Sequence, residues 1–494
     1  MSEGKEKSQF KEGFEAGYEK SQKLFTLSEF RNELGIPLVF AKKLVVWGEV
    51  EAVKAADGTL RISEEELLEA KEILKNPWKR GYLYLKSLGP GIITGAADDD
   101  PSGIGTYSSV GAQFGYSFVW MAPWLLPLMT AVQESCARIG IVTNKGLAGV
   151  LLKHYKKSIV ASIAVLLVIA NIANIGADIA AMTASVNLIV PINFTITAIV
   201  IAILIIAVEL TIPYRNYAKF LKWLALSLFA YIITGFMIHP DWLAIFKEAI
   251  VPDLSWNKDY IFAMVAVFGT TISPYLFFWQ TSEEVEEQAA EKFEHKKLDR
   301  MNNRIAKMRT DVKSGMIFAN FTFLFIVITT ASVLSKNGIT SIESAEQAAL
   351  ALKPFAGDYA FLLFALGIIG TGLLAVPVLA GSGAYALCEL MNWKEGLEEK
   401  FSRAKAFYSI IAVSILIGLA INFIGISPMK ALYYSAWLNG VMAVPLLFVI
   451  MIVGNDKKIM GAETHPRWVK VFGWAAFIFS ALAVLATIAF MFIK

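Results

Sequence analysis

From residue 88 onward the chain consists mostly of long apolar runs, separated by short polar or charged segments. A helix that crosses a bilayer needs about 20 mostly apolar residues, and eleven runs meet that length. They lie at 88–116, 117–141, 158–187, 192–212, 217–238, 260–281, 312–334, 357–391, 402–424, 431–453 and 467–493. The pattern predicts a cytoplasmic segment over 1–87 and a transmembrane domain of eleven helices over 88–494.

The basic residues between the runs predict the orientation of the domain, because cytoplasmic connections are enriched in Lys and Arg. If the N-terminus is cytoplasmic, the inner connections hold basic clusters at 145–157, 215–222, 292–313, 394–405 and 457–470. The outer connections then hold Lys247, Lys258, Lys336, Lys353 and Lys430. This asymmetry predicts a cytoplasmic N-terminus and, with an odd number of spans, an extracellular C-terminus.

Composition supports a membrane protein. Of 494 residues, 56% are hydrophobic and 18% are charged, whereas soluble domains average about 25% charged residues. The net charge of +3 indicates no basic surface for nucleic acid. Cys136 and Cys388 both lie in apolar runs, which excludes a disulfide scaffold and a cysteine-rich metal site. We expect a multi-pass protein of a bacterial plasma membrane, without a signal peptide, a cofactor or an obligate protein partner.

Residues 27–74, within the polar segment, resemble a small winged helix-turn-helix domain of the excisionase type. The expected elements are two short helices, a hairpin around Asp57-Gly58 and a closing helix from Ser63. Such a domain would suggest contact with DNA, or a fold fragment reused as a cytoplasmic cap. The cap is favoured, because acidic residues such as Glu49 dilute a basic recognition face and membrane tethering restricts access to DNA.

Two of the apolar runs contain residues that a plain spanning helix avoids. The first run places Asp98, Asp99 and Asp100 directly before Pro101, and the sixth places polar residues before Pro274. Each proline lies thirteen residues into its run, counted from 88 and 261, and the runs are five spans apart. Matched breaks of this kind indicate an inverted-repeat transporter, in which unwound segments meet near the membrane midplane. The alternative is a proline kink with packing glycines.

Carboxylates at membrane depth are costly, and a bound cation is their natural partner. Asp100 lies directly at the break and is the predicted principal ligand, while Asp98 is expected to face the permeation path. Oxygen ligands suit Mg²⁺, Mn²⁺ or Ca²⁺ better than copper or zinc. Further oxygens are expected from Asp99, from the carbonyls of Ala97 and Thr270, and from Ser273.

The segment from Gly89 to Tyr116, which ends in "VGAQFGY", resembles the first span of the natural resistance-associated macrophage protein (NRAMP) family. The resemblance continues through "VQESCARIGIVTNKGLAG" in the second span. It implies a LeuT-type inverted-repeat core of 5+5 spans, followed here by one further span. It also implies transport of Mn²⁺ or Fe²⁺, usually coupled to protons. The metal site of the family combines Asp-Pro-Gly-Asn in the first span with Ala-x-x-Met-Pro-His in the sixth.

The chain departs from these family motifs at the metal site. Asp100 is retained, but Gly103 replaces the asparagine, and Thr270, Ser273 and Tyr275 replace the alanine, methionine and histidine. Loss of the thioether predicts a wider, all-oxygen site, which suits Mg²⁺ because that ion dehydrates reluctantly. The pattern is similar to the NRAMP-related magnesium transporter branch, which implies Mg²⁺ and Mn²⁺ as substrates. Tyr275 is expected to pack or to narrow the permeation path.

Proton coupling in a membrane needs titratable groups in series, and few are present. In the third span, Asn171, Asp178 and Ala181 stand where the resemblance places the acidic residues of the family. Asn171, Asn174 and Asp178 share one helix face and would either hydrate the permeation path or make ordinary interhelical hydrogen bonds. Asn439 in the tenth span is a further candidate ligand. We expect uncoupled uniport of Mg²⁺ and Mn²⁺; the alternative is a proton-coupled Mn²⁺/Fe²⁺ importer.

Other charged and aromatic residues of the spans are predicted to have structural roles. Glu134 and Arg138 are four residues apart and predict a buried ion pair, whereas Glu209 and Glu389 lie near span ends and are expected to extend to the membrane interface. Trp437 is expected to pack.

One alternative function is a sodium-coupled solute carrier on the same fold, but such a carrier would not need three adjacent carboxylates. A membrane receptor with a signalling N-terminal domain is a further alternative. An enzyme is not expected, and an intramembrane hydrolase is disfavoured because no span contains a histidine or a Ser/His pair.

Overall fold

The structure is a computed structural model that describes residues 24–35, 41, 44, 45, 50, 52–55, 59–75, 90–212, 226–252, 254–293 and 301–492. The chain divides into two compact units. One comprises residues 1–88 and 297–307, and the other comprises 89–296 and 308–494.

The first unit contains a small antiparallel sheet and two helices. Its elements are β1 (Leu24–Thr26), α1 (Leu27–Leu34), β2 (Ala52–Lys54), β3 (Leu60–Ser63) and α2 (Glu64–Lys75), and β3 is the central strand. Phe30 of α1 and Ile62 of β3 are fully buried in its core. The closing helix begins beside Ser63, whose hydroxyl accepts the N–H of Glu66 at 3.3 Å. The predicted turn at Asp57-Gly58 lies outside the described residues.

The second unit is helical throughout its described part. Its helices are α3 (Pro90–Asp98), α4 (Pro101–Phe114), α5 (Met121–Thr143), α6 (Leu147–His154), α7 (Lys157–Ile189), α8 (Phe194–Thr211), α9 (Phe229–Met237), α10 (Trp242–Ile250), α11 (Lys258–Thr271), α12 (Pro274–Phe293), α13 (Met301–Val333), α14 (Ala345–Ala349), α15 (Lys353–Ala356), α16 (Ala360–Met391), α17 (Lys405–Ile421), α18 (Pro428–Asn455), α19 (Lys457–Met460) and α20 (Arg467–Phe492). Short 3₁₀ turns lie at Gly115–Phe118, Leu226–Leu228, Ser335–Asn337, Leu350–Leu352, Gly357–Tyr359 and Asn422–Ile424.

Within the described residues, nine helical segments are long and apolar enough to cross a membrane, and they correspond to nine of the eleven predicted spans. The first predicted span is instead divided between α3 and α4, because Pro101 and the aspartates interrupt the helix. The fifth is described only from residue 226, and residues 213–225 lie outside the described part. Its helix α9 bends by 119° into α10.

Helix α7 lies at the centre of the packing, against α16, α17 and α18. The half-helix α3 packs closely against α13. The N–H of Gly91 donates to Oδ2 of Asp311 at 2.5 Å, and a Cβ on Gly95 would lie 2.5 Å from the Cα of Gly315. Since no side chain separates the two backbones at Gly95, α3 and α13 are in direct backbone contact.

The predicted ion pair between Glu134 and Arg138 is confirmed and is part of a larger network. Arg138 donates to Oε1 of Glu134 at 2.7 Å, and Nε of Arg309 donates to the same oxygen at 2.8 Å. Arg138 also lies 3.6 Å from Oε2 of Glu463. The network therefore connects α5, α13 and the segment that precedes α20.

Two carboxylates at span ends differ from their prediction. Oε2 of Glu389 accepts the N–H of Gly149 at 3.0 Å, in the first turn of α6. Glu209 is 4% exposed and buried within the protein. The expectation that both extend to the membrane interface is therefore wrong: Glu389 stabilises the free N–H groups at the start of a helix, and Glu209 is enclosed by neighbouring helices.

Cys136 and Cys388 are buried free thiols.

His465 lies between α19 and α20 and is 2% exposed, with its ring against Gly454. Burial, together with the nearby charges of Arg138 and Lys470, lowers the pKa of its imidazole from 6.5 to about 3. Between these two pH values the unfolded chain binds more protons than the folded protein, so the free energy of unfolding decreases as the pH falls from 6.5 towards 3.

We expect the variant His465→Gln to lose less stability than the wild type between pH 6.5 and pH 4.5, because it removes this proton uptake on unfolding. Thermal unfolding of the detergent-solubilised protein at a series of pH values measures the effect. The exposed His154, at the end of α6, provides a matched control in His154→Gln, which should follow the wild-type slope. A wild-type slope in His465→Gln would contradict the prediction.

Candidate functional site

The first break lies between α3 and α4, at Asp99 and Asp100. Asp100 has an extended backbone and caps α4, because its Oδ1 accepts the N–H of Gly103 at 2.7 Å. The hydroxyl of Ser102 donates to the same oxygen at 2.7 Å. Pro101 occupies the first position of α4, where its missing N–H is tolerated. The sequence Asp-Pro thus ends one helix and begins the next.

The second break lies between α11, which ends at Thr271, and α12, which begins at Pro274. The hydroxyl of Ser273 donates to the carbonyls of Gly269 and Thr270, both at 2.9 Å. The predicted Thr270 carbonyl is therefore partly satisfied within its own helix, and the Ser273 oxygen retains only its acceptor capacity. The Thr270 hydroxyl makes no hydrogen bond in the described part of the chain.

The two breaks meet, and helices α7 and α18 join them. The Tyr275 hydroxyl donates to the Ala97 carbonyl at 3.0 Å and lies 3.4 Å from Oδ2 of Asp100. Nδ2 of Asn174 donates to the same Asp100 oxygen at 2.9 Å, and Nδ2 of Asn439 donates to Oδ1 of Asn174 at 3.3 Å. The structure thus joins four further predicted site residues to the Asp100 carboxylate in one hydrogen-bond network: Ala97, Asn174, Tyr275 and Asn439.

Gly103 keeps the two breaks close. A Cβ at this position would lie 3.2 Å from the carbonyl oxygen of Asp98 and 3.2 Å from the Thr270 hydroxyl. Gly103 contributes its N–H to Asp100, and it has no side chain that can act as a ligand.

The polar face of α7 divides into two parts. Asn171 donates to the Leu379 carbonyl and to the Ser382 hydroxyl, both at 2.8 Å, so it makes an interhelical hydrogen bond to α16. Asn174 and Asp178 instead face Asp100, and Oδ2 of Asp178 lies 3.4 Å from Nδ2 of Asn174. Interhelical hydrogen bonding is therefore observed for Asn171 and Asn174, and hydration of the permeation path by this face stays a prediction.

The two remaining aspartates have a different environment. Asp98 and Asp99 are fully buried, and none of their four carboxylate oxygens accepts a hydrogen bond from the described residues. The Thr322 hydroxyl of α13 interacts with Asp99 without reaching hydrogen-bond geometry. Neither carboxylate is part of the hydrogen-bond network around Asp100.

The groups around Asp100 are hydroxyls, a side-chain amide, a backbone N–H group and a backbone carbonyl. Among the described residues, no group of three His, Cys, Asp or Glu side chains is placed to hold a metal ion. A cation at Asp100 would therefore be bound by one carboxylate, with carbonyl, hydroxyl and amide oxygens and water completing its shell. Such a donor set favours a hard divalent cation.

Trp437 of α18 and Met182 of α7 lie on the helices that carry Asn439 and Asn174. Trp437 stacks on Phe262 with ring centroids 5.2 Å apart, which confirms its predicted packing role. Met182, one turn beyond Asp178 on α7, places its sulfur against Gly372, where Pro101 also packs. Sequence reasoning missed this thioether, because it considered only the positions at the two breaks; the four-residue spacing from Asp178 was the available signal.

Paired broken helices within a bundle of apolar spans define the class as an inverted-repeat membrane transporter fold. The structure superimposes on a manganese transporter of Eremococcus coleocola with a TM-score of 0.66 at 18% identity, covering 81% of this chain and 86% of that one. The predicted LeuT-type fold is confirmed. Residues 91–490 match the family described as natural resistance-associated macrophage protein-like, and the chain belongs to this family.

Curated relatives cover the same region. A divalent metal cation transporter MntH of Klebsiella pneumoniae subsp. pneumoniae is 25% identical over 395 residues, which cover 79% of this chain and 91% of the relative. The MntH protein of Yersinia enterocolitica is 26% identical over 399 residues, with the same two coverages. The predicted family membership is thereby confirmed.

Proposed function

We propose that this protein imports divalent cations, Mg²⁺ and also Mn²⁺, by uncoupled alternating-access uniport. The observation that carries the proposal is the position of Asp100, whose buried carboxylate lies where both helix breaks meet. The relatives are named as divalent metal cation transporters, and the structural neighbour as a manganese transporter. These names support the general class of substrate.

The preference for Mg²⁺ is inferred from the donors. Ser273 and Tyr275 stand where the resemblance places a thioether and an imidazole, and both offer hydroxyl groups. Mg²⁺ binds oxygen and retains several of its waters. The amides of Asn174 and Asn439 and the Tyr275 hydroxyl can therefore bind the water shell of the ion, while Asp100 provides the negative charge.

Uncoupled transport is inferred from the absence of histidine from the described membrane spans. The described histidines, His154, His239 and His465, lie at helix ends or in connections. The membrane potential alone provides a sufficient driving force, since a divalent ion that moves inward through 100 mV gains about 4.6 kcal/mol, twice the value for a single charge.

The alternative, a proton-coupled Mn²⁺/Fe²⁺ importer, has one observation in its favour. Asp178 is fully buried, its Oδ1 accepts no hydrogen bond in the described part of the chain, and Asn174 connects it to Asp100. A titratable group is thus one side chain away from the principal ligand.

Ion flux into proteoliposomes tests the proposal. With a Mg²⁺-sensitive dye and a pH dye inside, we expect Mg²⁺ influx that increases as the interior is made more negative, without acidification. Asp178→Asn should retain this influx, as should the matched control Asp358→Asn at an exposed site. Uptake of Mn²⁺ with protons, abolished in Asp178→Asn, together with no Mg²⁺ signal, would establish the alternative.

We also propose that the N-terminus is cytoplasmic, the C-terminus extracellular and the membrane a bacterial plasma membrane. The distribution of basic residues between the spans supports this orientation. Residues 1–87 would then form a cytoplasmic cap ahead of a transporter domain over 88–494.

A further inference from the structure

We propose that Asp98 and Asp99 form a second cation site, separate from Asp100, that holds a partly hydrated divalent cation. This inference rests on the proposed function, because it assumes that divalent cations reach the helix breaks. It concerns two side chains that the network around Asp100 does not include.

The contrast between the three successive aspartates is the first argument. Both oxygens of Asp100 accept hydrogen bonds, from Gly103 and Ser102 at one oxygen and from Asn174 at the other. Asp98 and Asp99 are equally buried, yet their four oxygens accept none from the described residues. A buried carboxylate needs a compensating partner. Of these three aspartates, only Asp100 accepts hydrogen bonds from the described residues, while Asp99 has the nearby Thr322 hydroxyl short of hydrogen-bond geometry.

The helix ends are the second argument. Asp100 caps the N-terminal end of α4, where the helix dipole stabilises a negative charge. Asp98 and Asp99 lie at the C-terminal end of α3, where the partial negative charge of the helix adds to their own. The C-terminal end of α11 lies close by, because Thr270 approaches Gly103. Helix C-terminal ends with unwound carbonyls are the elements that bind cations in transporters of this type.

Neutral oxygen donors beside the two carboxylates are the third argument. Tyr107 and Thr270 are almost fully buried, and their hydroxyls interact with each other without reaching hydrogen-bond geometry. The Thr270 hydroxyl and the Asp98 carbonyl oxygen each lie 3.2 Å from the Cβ position of Gly103, and the Tyr107 ring lies 3.4 Å from it. Tyr107 also interacts electrostatically with Asp98 and Asp99. Two carboxylates and two hydroxyls, completed by water, match the oxygen shell that Mg²⁺ and Mn²⁺ accept.

A second site next to the first would also assist transport. A transported ion must bind well enough to enter and weakly enough to leave, and like charges at adjacent sites repel each other. A cation at Asp98 and Asp99 would lower the affinity of its neighbour at Asp100 and promote its release.

Binding stoichiometry tests the proposal. Isothermal titration of the purified full-length protein with Mn²⁺ or Mg²⁺ should give two ions for the wild type and for the exposed control Asp358→Asn. The double variant Asp98→Asn/Asp99→Asn should bind one ion, and Asp100→Asn should also bind one. Mn²⁺ electron paramagnetic resonance should show dipolar broadening in the saturated wild type and lose it in both variants.

The outcomes separate the two proposals. One ion in the wild type, lost in Asp100→Asn and retained in the double variant, would overturn the second site and leave the proposed function intact. No binding in a folded wild type would overturn both. Each single variant, Asp98→Asn and Asp99→Asn, keeps the test decisive if the double variant does not fold, since either should weaken the second binding event at least tenfold.

Discussion

Replacement of Asp100 by asparagine is expected to reduce Mg²⁺ influx into proteoliposomes by about 100-fold or more, since even residues that only support a metal ligand contribute 10–100-fold in affinity. The substitution removes the negative charge at the meeting point of the two helix breaks. Asparagine is as good an N-cap as aspartate, so α4 should begin normally and the variant should remain folded.

Asp100→Ala separates the two roles of this residue. It removes the charge and also the cap on Gly103, and loss of an N-cap costs about 1 kcal/mol in stability. We expect equal loss of influx in both variants, but a lower unfolding temperature only in Asp100→Ala. Wild-type influx in a folded Asp100→Asn protein would show that Asp100 is not the principal ligand.

Replacement of Arg138 by alanine should have the largest effect on stability. Glu134 is fully buried and accepts hydrogen bonds from Arg138 and Arg309 at one oxygen. Removing Arg138 breaks the fully buried ion pair and leaves Glu134 with the partly exposed Arg309 alone. We therefore expect a loss at the lower end of the range of about 3–5 kcal/mol that a broken buried ion pair costs. A fall in the thermal unfolding temperature of the detergent-solubilised protein measures this loss.

Two further variants make that measurement specific. Arg403→Ala, at an exposed arginine, should change the unfolding temperature little, because exposed charges contribute about 0–1 kcal/mol. The double variant Glu134→Gln/Arg138→Met removes both charges of the pair and should recover part of the loss. Equal unfolding temperatures for Arg138→Ala and Arg403→Ala would contradict the expected role of the network.

The helix breaks and the position of Asp100 followed from sequence, because proline and consecutive carboxylates in an apolar run have few structural explanations. The different environments of Asp98, Asp99 and Asp100 did not. Adjacent residues in a break point in directions set by the local backbone, and the donors that satisfy Asp100 come partly from a distant helix. The bond from Asn174 spans 74 residues of sequence.

The hydrogen bond by which Glu389 caps α6 could not be predicted from the sequence either. Glu389 and Gly149 are 240 residues apart, and hydropathy indicates how deep a residue lies without identifying its partner. A carboxylate near a span end therefore suggested the membrane interface. Glu389 instead accepts a hydrogen bond from a backbone N–H in the first turn of α6. The two groups are close because α16 packs against α6.

The contact between α3 and α13 limits how the protein can change shape. Gly95 lies against the backbone of Gly315, and the N–H of Gly91 is held by the Asp311 carboxylate, so α3 is fixed to α13 at two points one helical turn apart. We therefore expect α3 and α13 to move together. A displacement of α13 would then also displace the aspartates at the C-terminal end of α3.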